Sequence, residues 1–184
     1  MTNSMEQNVV QYLAEYDEGL TDQDSQMAYE MCARALTDYY KAVWNGSDIE
    51  LYTFIESDNL KQYMQKKIQS QYDLHANSND PVQNVEVVDW EVEFADEEEG
   101  NYLYLLLPAH VHKNGGGFGE PTEFLVQNKN RKLVIVDWYM GAKDSYDFFV
   151  RGENLKINNP AIWDDREFVK RIKQKQREFS GSTR

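Results

Sequence analysis

The chain has 184 residues, 32 acidic and 19 basic, for a net charge of −13. Hydrophobic residues make up 41% and aromatic ones 13%, enough apolar surface to offset ordering entropy, so wholesale disorder is excluded. The charge would repel a nucleic-acid backbone, and the single cysteine, Cys32, rules out an internal disulfide framework or a cysteine-rich zinc centre.

The longest apolar run, Leu103-Tyr104-Leu105-Leu106-Leu107, stops at Pro108, far short of the roughly 20 residues a membrane-spanning helix needs. Residues 1–6 lack the basic and apolar regions of a secretory signal, which makes a cytoplasmic location the expectation. Charge is unevenly spread. Residues 164–184 hold seven basic against four acidic side chains (+3), leaving 12 against 28 elsewhere (−16). A basic terminal helix beside an acidic body more often docks on that body than on nucleic acid.

In chain order, Val9, Val10, Leu13 and Tyr16 predict a first helix over residues 7–16. A second, residues 26–44, carries Cys32, Leu36, Tyr39, Tyr40 and Val43 as its stripe, and Asn45-Gly46 closes it. Ser47-Asp48-Ile49-Glu50 matches a capping box, predicting a short helix through Ile55. Ser57-Asp58 caps a further helix over residues 59–73, with Leu60, Met64, Ile68 and Tyr72 on one face.

Beyond the turn cluster ending at Pro81 the period changes from 3.6 to 2. Val88, Trp90, Val92 and Phe94 form the buried side of a strand, and Val85 and Val87 in the opposite phase predict a bulge at Val87-Val88. The acidic run of residues 96–101 makes a solvated hairpin tip. The next strand, 102–113, sets Leu103, Leu105, Leu107, Ala109 and Val111 on one face, and its Pro108 points to an edge or a bulge. A glycine turn leads to strand 118–127 with Thr122, Phe124 and Val126 aligned. Strand 132–140 is apolar on both faces, the mark of a central strand, with Leu133, Ile135, Asp137 and Tyr139 in one phase. Residues 144–159 are irregular but too apolar for a free linker. Asn158-Asn159-Pro160 starts a last helix to about residue 179, with a fraying end. The fold class is α+β: N-terminal helices on an antiparallel meander of four or more strands, with a C-terminal helical extension.

Helices followed by a long meander that ends in Lys132-Leu133-Val134-Ile135-Val136-Asp137-Trp138-Tyr139 resemble the nuclear transport factor 2-like superfamily over residues 26–142. That resemblance implies a strongly curved sheet wrapped round helices into a cone with an internal cavity. It divides the chain into an N-terminal helix and linker (1–25), the α+β domain (26–142) and an extension (143–184) that the minimal family fold lacks. The family includes isomerases, dehydratases, transport factors and accessory domains, so likeness alone assigns no function.

Asp137 is the leading candidate for chemistry, since it interrupts an apolar strand. At a cavity wall, burial would raise its pKa and suit a general base, with Tyr139 or His110 as hydrogen-bond donor. At the sheet rim it would instead accept structural hydrogen bonds. His110 and His112 share a face and could ligate a metal if Asp137 or Glu120 joined them, although no third ligand is fixed by spacing. His75 near a helix end suits its terminal carbonyls, and Cys32 suits core packing. No cofactor is expected: the run from Gly115 to Gly119 lacks the Lys-Ser/Thr of a phosphate loop and describes a hairpin tip or cavity lid.

The preferred expectation is a non-enzymatic, cavity-containing interaction or ligand-binding domain that pairs through its sheet with a second copy or another protein and takes a small apolar ligand. The alternatives are a small-molecule isomerase or dehydratase using Asp137, and a binding protein that makes contact through residues 144–179.

Overall fold

In a computed structural model, residues 10–97 and 100–182 are described. Among these residues, four helices, α1 (Asp22–Asn45), α2 (Asp58–His75), α3 (Tyr146–Arg151) and α4 (Arg166–Ser182), accompany five antiparallel strands: β1 (Val82–Val87), β2 (Glu91–Glu97), β3 (Gly100–Lys113), β4 (Phe118–Lys129) and β5 (Lys132–Tyr139). The fold is α+β, with a curved, open sheet in the order β1-β3-β4-β5 and β2 beside β1 on the same edge of β3.

Helix α1 starts four residues earlier than its apolar period suggests, because Thr21 and Asp24 form a capping box. The Asp24 carboxylate accepts from the Thr21 amide at 2.8 Å and from the Glu15 amide at 2.9 Å. Ala28, Met31, Cys32, Ala35, Leu36, Tyr39 and Val43 make its buried stripe. Gly46 ends it with φ 72°, where a Cβ would come within 3.0 Å of the Tyr72 ring. The stripe packs on the alternating residues of β3, Leu103 to Val111, on Phe124 and Val126 of β4, and on Leu60 and Met64 of α2. Burial pushes the Cys32 thiol well up, so it packs as an unreactive apolar group.

Two expected helices are absent. The described part of residues 7–16 is extended, with Leu13 bridging to Lys132. The Tyr12 carbonyl accepts from the Leu133 amide and the Phe54 carbonyl from the Ile135 amide. An exposed strand edge thus outbids a short helix of marginal local stability. Residues 7–9 lie outside the described residues. The Ser47–Glu50 capping box does not form either. The Ser47 amide returns to the Lys41 carbonyl at the end of α1, and only a 3₁₀ turn, Leu51–Thr53, follows. Ser57, by contrast, caps α2 as expected, accepting from the Leu60 amide.

The phase change near Val87 is a full interruption rather than a single bulge. Residues 88–90 leave the ladder and Asp89 takes φ 53°. Val85 and Val87 of β1 and Val92 of β2 therefore all pack inward, while Trp90 stacks on Tyr29 at 4.4 Å. Phe94, expected on the buried face, is half exposed in the middle of β2, opposite Leu103. Pro108 lies in the middle of the sheet, opposite this interruption. Its carbonyl accepts from the Val88 amide at 3.2 Å, so its missing N–H also faces the gap, where no ladder partner is lost. Its partner Pro121 faces the β5 side beyond the last β4–β5 pair, Glu123–Tyr139.

A bulge in β5 decides its two faces. Leu125 pairs with Asp137 but Val126 with Ile135, leaving Val136 as the extra residue. Trp138 accordingly joins Leu133 and Ile135 inside, whereas Asp137 and Tyr139 share the opposite phase with Leu125. There Leu155 and Ile157 of the chain's own C-terminal segment cover Tyr102, Leu125 and Tyr139. The last helix begins at Arg166 rather than near Pro160. A 3₁₀ turn, Ile162–Asp164, carries Trp163 into the core, and Asp165 caps α4 by accepting from the Phe168 amide at 3.1 Å. That helix continues to Ser182, past the expected fraying point.

Candidate functional site

Asp137, the first sequence candidate, sits in a closed polar joint. Arg151 of α3 grips it with two hydrogen bonds of 2.8 and 2.9 Å, and both side chains are 2% exposed or less. The Trp163 indole N–H at 2.9 Å and the Trp138 amide at 2.8 Å also donate to its Oδ1. Burial works against the Arg151 charge, and the Asp137 carboxylate more than restores it, so its pKa rises. Tyr139 lies two residues along the strand and donates its phenol to the Gly152 carbonyl at 2.7 Å.

His110 and His112 lie exposed on the outer sheet face, opposite Gly119 and Asn84. The His112 Nε2 stands 3.4 Å from a Glu86 oxygen. Glu120 pairs with Ala109 and so faces inward, away from both imidazoles. Among the described residues, no group of three His, Cys, Asp or Glu side chains is placed to hold a metal ion.

The structure instead brings together a pocket of about 280 Å³ at one open end of the helix–sheet layer. Tyr39, Tyr40 and Trp44 of α1, Lys67 and His75 of α2, Phe118 and Glu120 of β4, and Tyr146 of α3 line it. Lys67 is 2% exposed and gives a 2.7 Å hydrogen bond to Asp147, itself fully buried. The Tyr63 phenol and the Met140 amide, at 2.5 and 2.7 Å, complete the shell of that carboxylate. This arrangement fixes α2, the end of β5 and α3 around one buried charge pair.

Glu120 is placed differently. Among the described residues its hydrogen-bond partner is the Tyr40 phenol, at 2.8 Å. Burial raises its pKa above 4.5; the Tyr40 hydrogen bond and the Lys67 charge pull it down, and Asp147 pushes it up. The neighbouring Thr122 hydroxyl is fully buried. At the rim His75 stacks on Trp44 with ring centres 3.6 Å apart, rather than capping its helix, and burial followed by the Lys113 charge lowers its pKa. The Lys113 ammonium lies 3.7 Å from the Trp44 ring centre and 3.4 Å from Asp80, which also accepts from the Gly115 amide. The glycine turn is thereby pinned beside the pocket, with Phe118 reaching in. At Gly117 a Cβ would meet the Val111 carbonyl at 2.5 Å.

Sequence reasoning named Glu120 only as a metal donor and passed over Lys67 and Asp147. Both carry a readable signal. Lys67 falls on the Leu60–Met64 stripe of α2, and Asp147 interrupts the aromatic run Tyr146, Phe148 and Phe149. No family model matches this chain, and neither curated proteins nor solved structures include a match to it.

Proposed function

We propose that the protein is a non-enzymatic ligand-binding domain of the nuclear transport factor 2-like kind, holding a small molecule in the pocket around Glu120. One observation carries the reading: a half-buried carboxyl in a ring-lined cavity whose hydrogen-bond partner is a single phenol. A domain that needed this group only for stability would surround it as Asp137 and Asp147 are surrounded. Helices on a curved, open meander support the family likeness. No second copy is required, because the outer face of β5 is covered by Leu155 and Ile157. The rest of that outer face carries Glu86, Glu91, Glu93 and Glu123, which would repel their counterparts on a like face.

Amide chemical shifts test the proposal. Titration with small aromatic fragments should move the Trp44, Phe118, Glu120 and Tyr146 signals together, and Gln71→Trp, which fills the mouth, should abolish the response. A folded chain that responds to no fragment would end this reading. A second reading, proton transfer to or from a bound carbonyl compound, also falls on Glu120, since burial raises its pKa above the ordinary carboxylate value. Deuterium uptake by cyclohexanone that is faster with the wild type than with Glu120→Gln would favour it.

A further inference from the structure

We infer that the ligand is a primary amine on a compact aromatic or apolar body, bound with its ammonium against the Glu120 carboxylate and its body among the rings. The inference rests on the pocket reading and narrows it to a chemical class. Three features of the site converge on this class.

The first is charge accounting. Lys67, the nearest cation on α2, is hydrogen-bonded to Asp147, and Lys113 on β3 is paired with Asp80 at the rim. His75, the remaining basic group in the lining, has its pKa lowered by burial and then by the Lys113 charge, both of which disfavour its cationic form. The other titratable groups facing the cavity are the phenols of Tyr39, Tyr40 and Tyr146, which burial raises. Among the described residues Glu120 therefore has no cation in direct contact, and an incoming ammonium would both neutralise it and donate hydrogen bonds.

The second is the lining. Tyr40 stands 5.9 Å from Phe118, ring centre to ring centre, and donates to Glu120, whereas the Trp44 ring is already engaged by His75 and the Lys113 ammonium. Aromatic faces beside a carboxylate favour a cation over a neutral polar group of the same shape. The third is the field. With 28 acidic against 12 basic side chains before residue 164, the body draws cations toward its clefts and repels anions. A cavity of about 280 Å³ is at the small end for a ligand site, which limits the body to about one ring and a short arm.

Calorimetric or chemical-shift titration of the full chain at pH 7.5 with 2-phenylethylamine, 2-phenylethanol and phenylacetate tests this, since the three probes share a body and differ in charge. The amine should bind at least about 10-fold tighter than the alcohol, and phenylacetate weakest. Glu120→Gln should erase the amine's advantage over the alcohol, whereas Glu120→Asp, which keeps the charge, should keep the preference even if both ligands weaken. Circular dichroism checks that each variant is folded. Equal binding of amine and alcohol, or a preference for phenylacetate, overturns the amine assignment while the pocket reading stands. Failure of all three probes to bind the folded wild type at millimolar concentration overturns both.

Discussion

Glu120 and Asp137 are both acidic residues on neighbouring strands, and their surroundings give them opposite behaviour. Asp137 has two hydrogen bonds from Arg151 and further donors from Trp138 and Trp163. Glu120 has a phenol, partial burial and a raised pKa. The sign of its effect on stability follows. The folded state holds the Glu120 proton at higher pH than the unfolded chain, so stability from this group is present below about pH 4.5 and is lost as pH rises through the folded pKa. Glu120→Gln removes that titration. Melting temperatures across pH 4 to 8 should show the variant gaining on the wild type as pH rises, and parallel curves would contradict the burial argument.

Legibility at this scale was uneven. A carboxylate between Val136 and Trp138 was conspicuous because it interrupts an apolar strand. What answered it was not, since Arg151 and Trp163 lie 14 and 26 residues further on in a segment without clear periodicity. Glu120 gave the opposite problem, as its neighbours in sequence do not distinguish it from a solvated strand residue.

Between elements, local signals fared best where the backbone had no competing partner. Ser57 capped α2, Gly46 closed α1, and the alternation of β3 fell on the expected faces. They failed where another element claimed the same backbone groups: Ser47 was taken by the end of α1 and residues 12–14 by the edge of β5. The Val136 bulge has no composition signal, yet it turns Asp137 away from Leu133 and toward α3. That joint should be costly to break. Asp137→Asn strands the Arg151 charge at 2% exposure, and urea denaturation should show a loss of about 3–5 kcal/mol. A loss below about 1 kcal/mol would mean that the pair behaves as a solvated surface bridge.

For the whole molecule, the extension after residue 142 is built into the core, and the basic helix α4 docks on the body through its apolar residues. Tyr146, Val150, Trp163, Phe168, Val169 and Ile172 belong to the main hydrophobic cluster. Gln176 bonds the Tyr63 carbonyl and the Tyr146 phenol, and Asn59 bonds the Trp163 carbonyl. A chain ending at Ala142 would keep the five strands but lose the partners of Lys67 and Asp137, both buried. Such a chain should lack a cooperative thermal transition and dispersed amide signals; a melting curve close to that of the full chain would show the extension to be dispensable.

The Lys67–Asp147 pair also bears on when folding can finish. Its two members lie 80 residues apart, and Tyr63 and its partner Asp147 are 84 apart. During synthesis, α1, α2 and the first strands leave the ribosome well before Asp147 does. Until it arrives, Lys67 lacks the carboxylate it is hydrogen-bonded to, and burying the charge on the apolar stripe of α2 is costly. Closing the helical layer on the sheet before Asp147 is made therefore carries a desolvation cost that its arrival removes. Completion of the helical layer is thus coupled to the arrival of Asp147, 80 residues after Lys67.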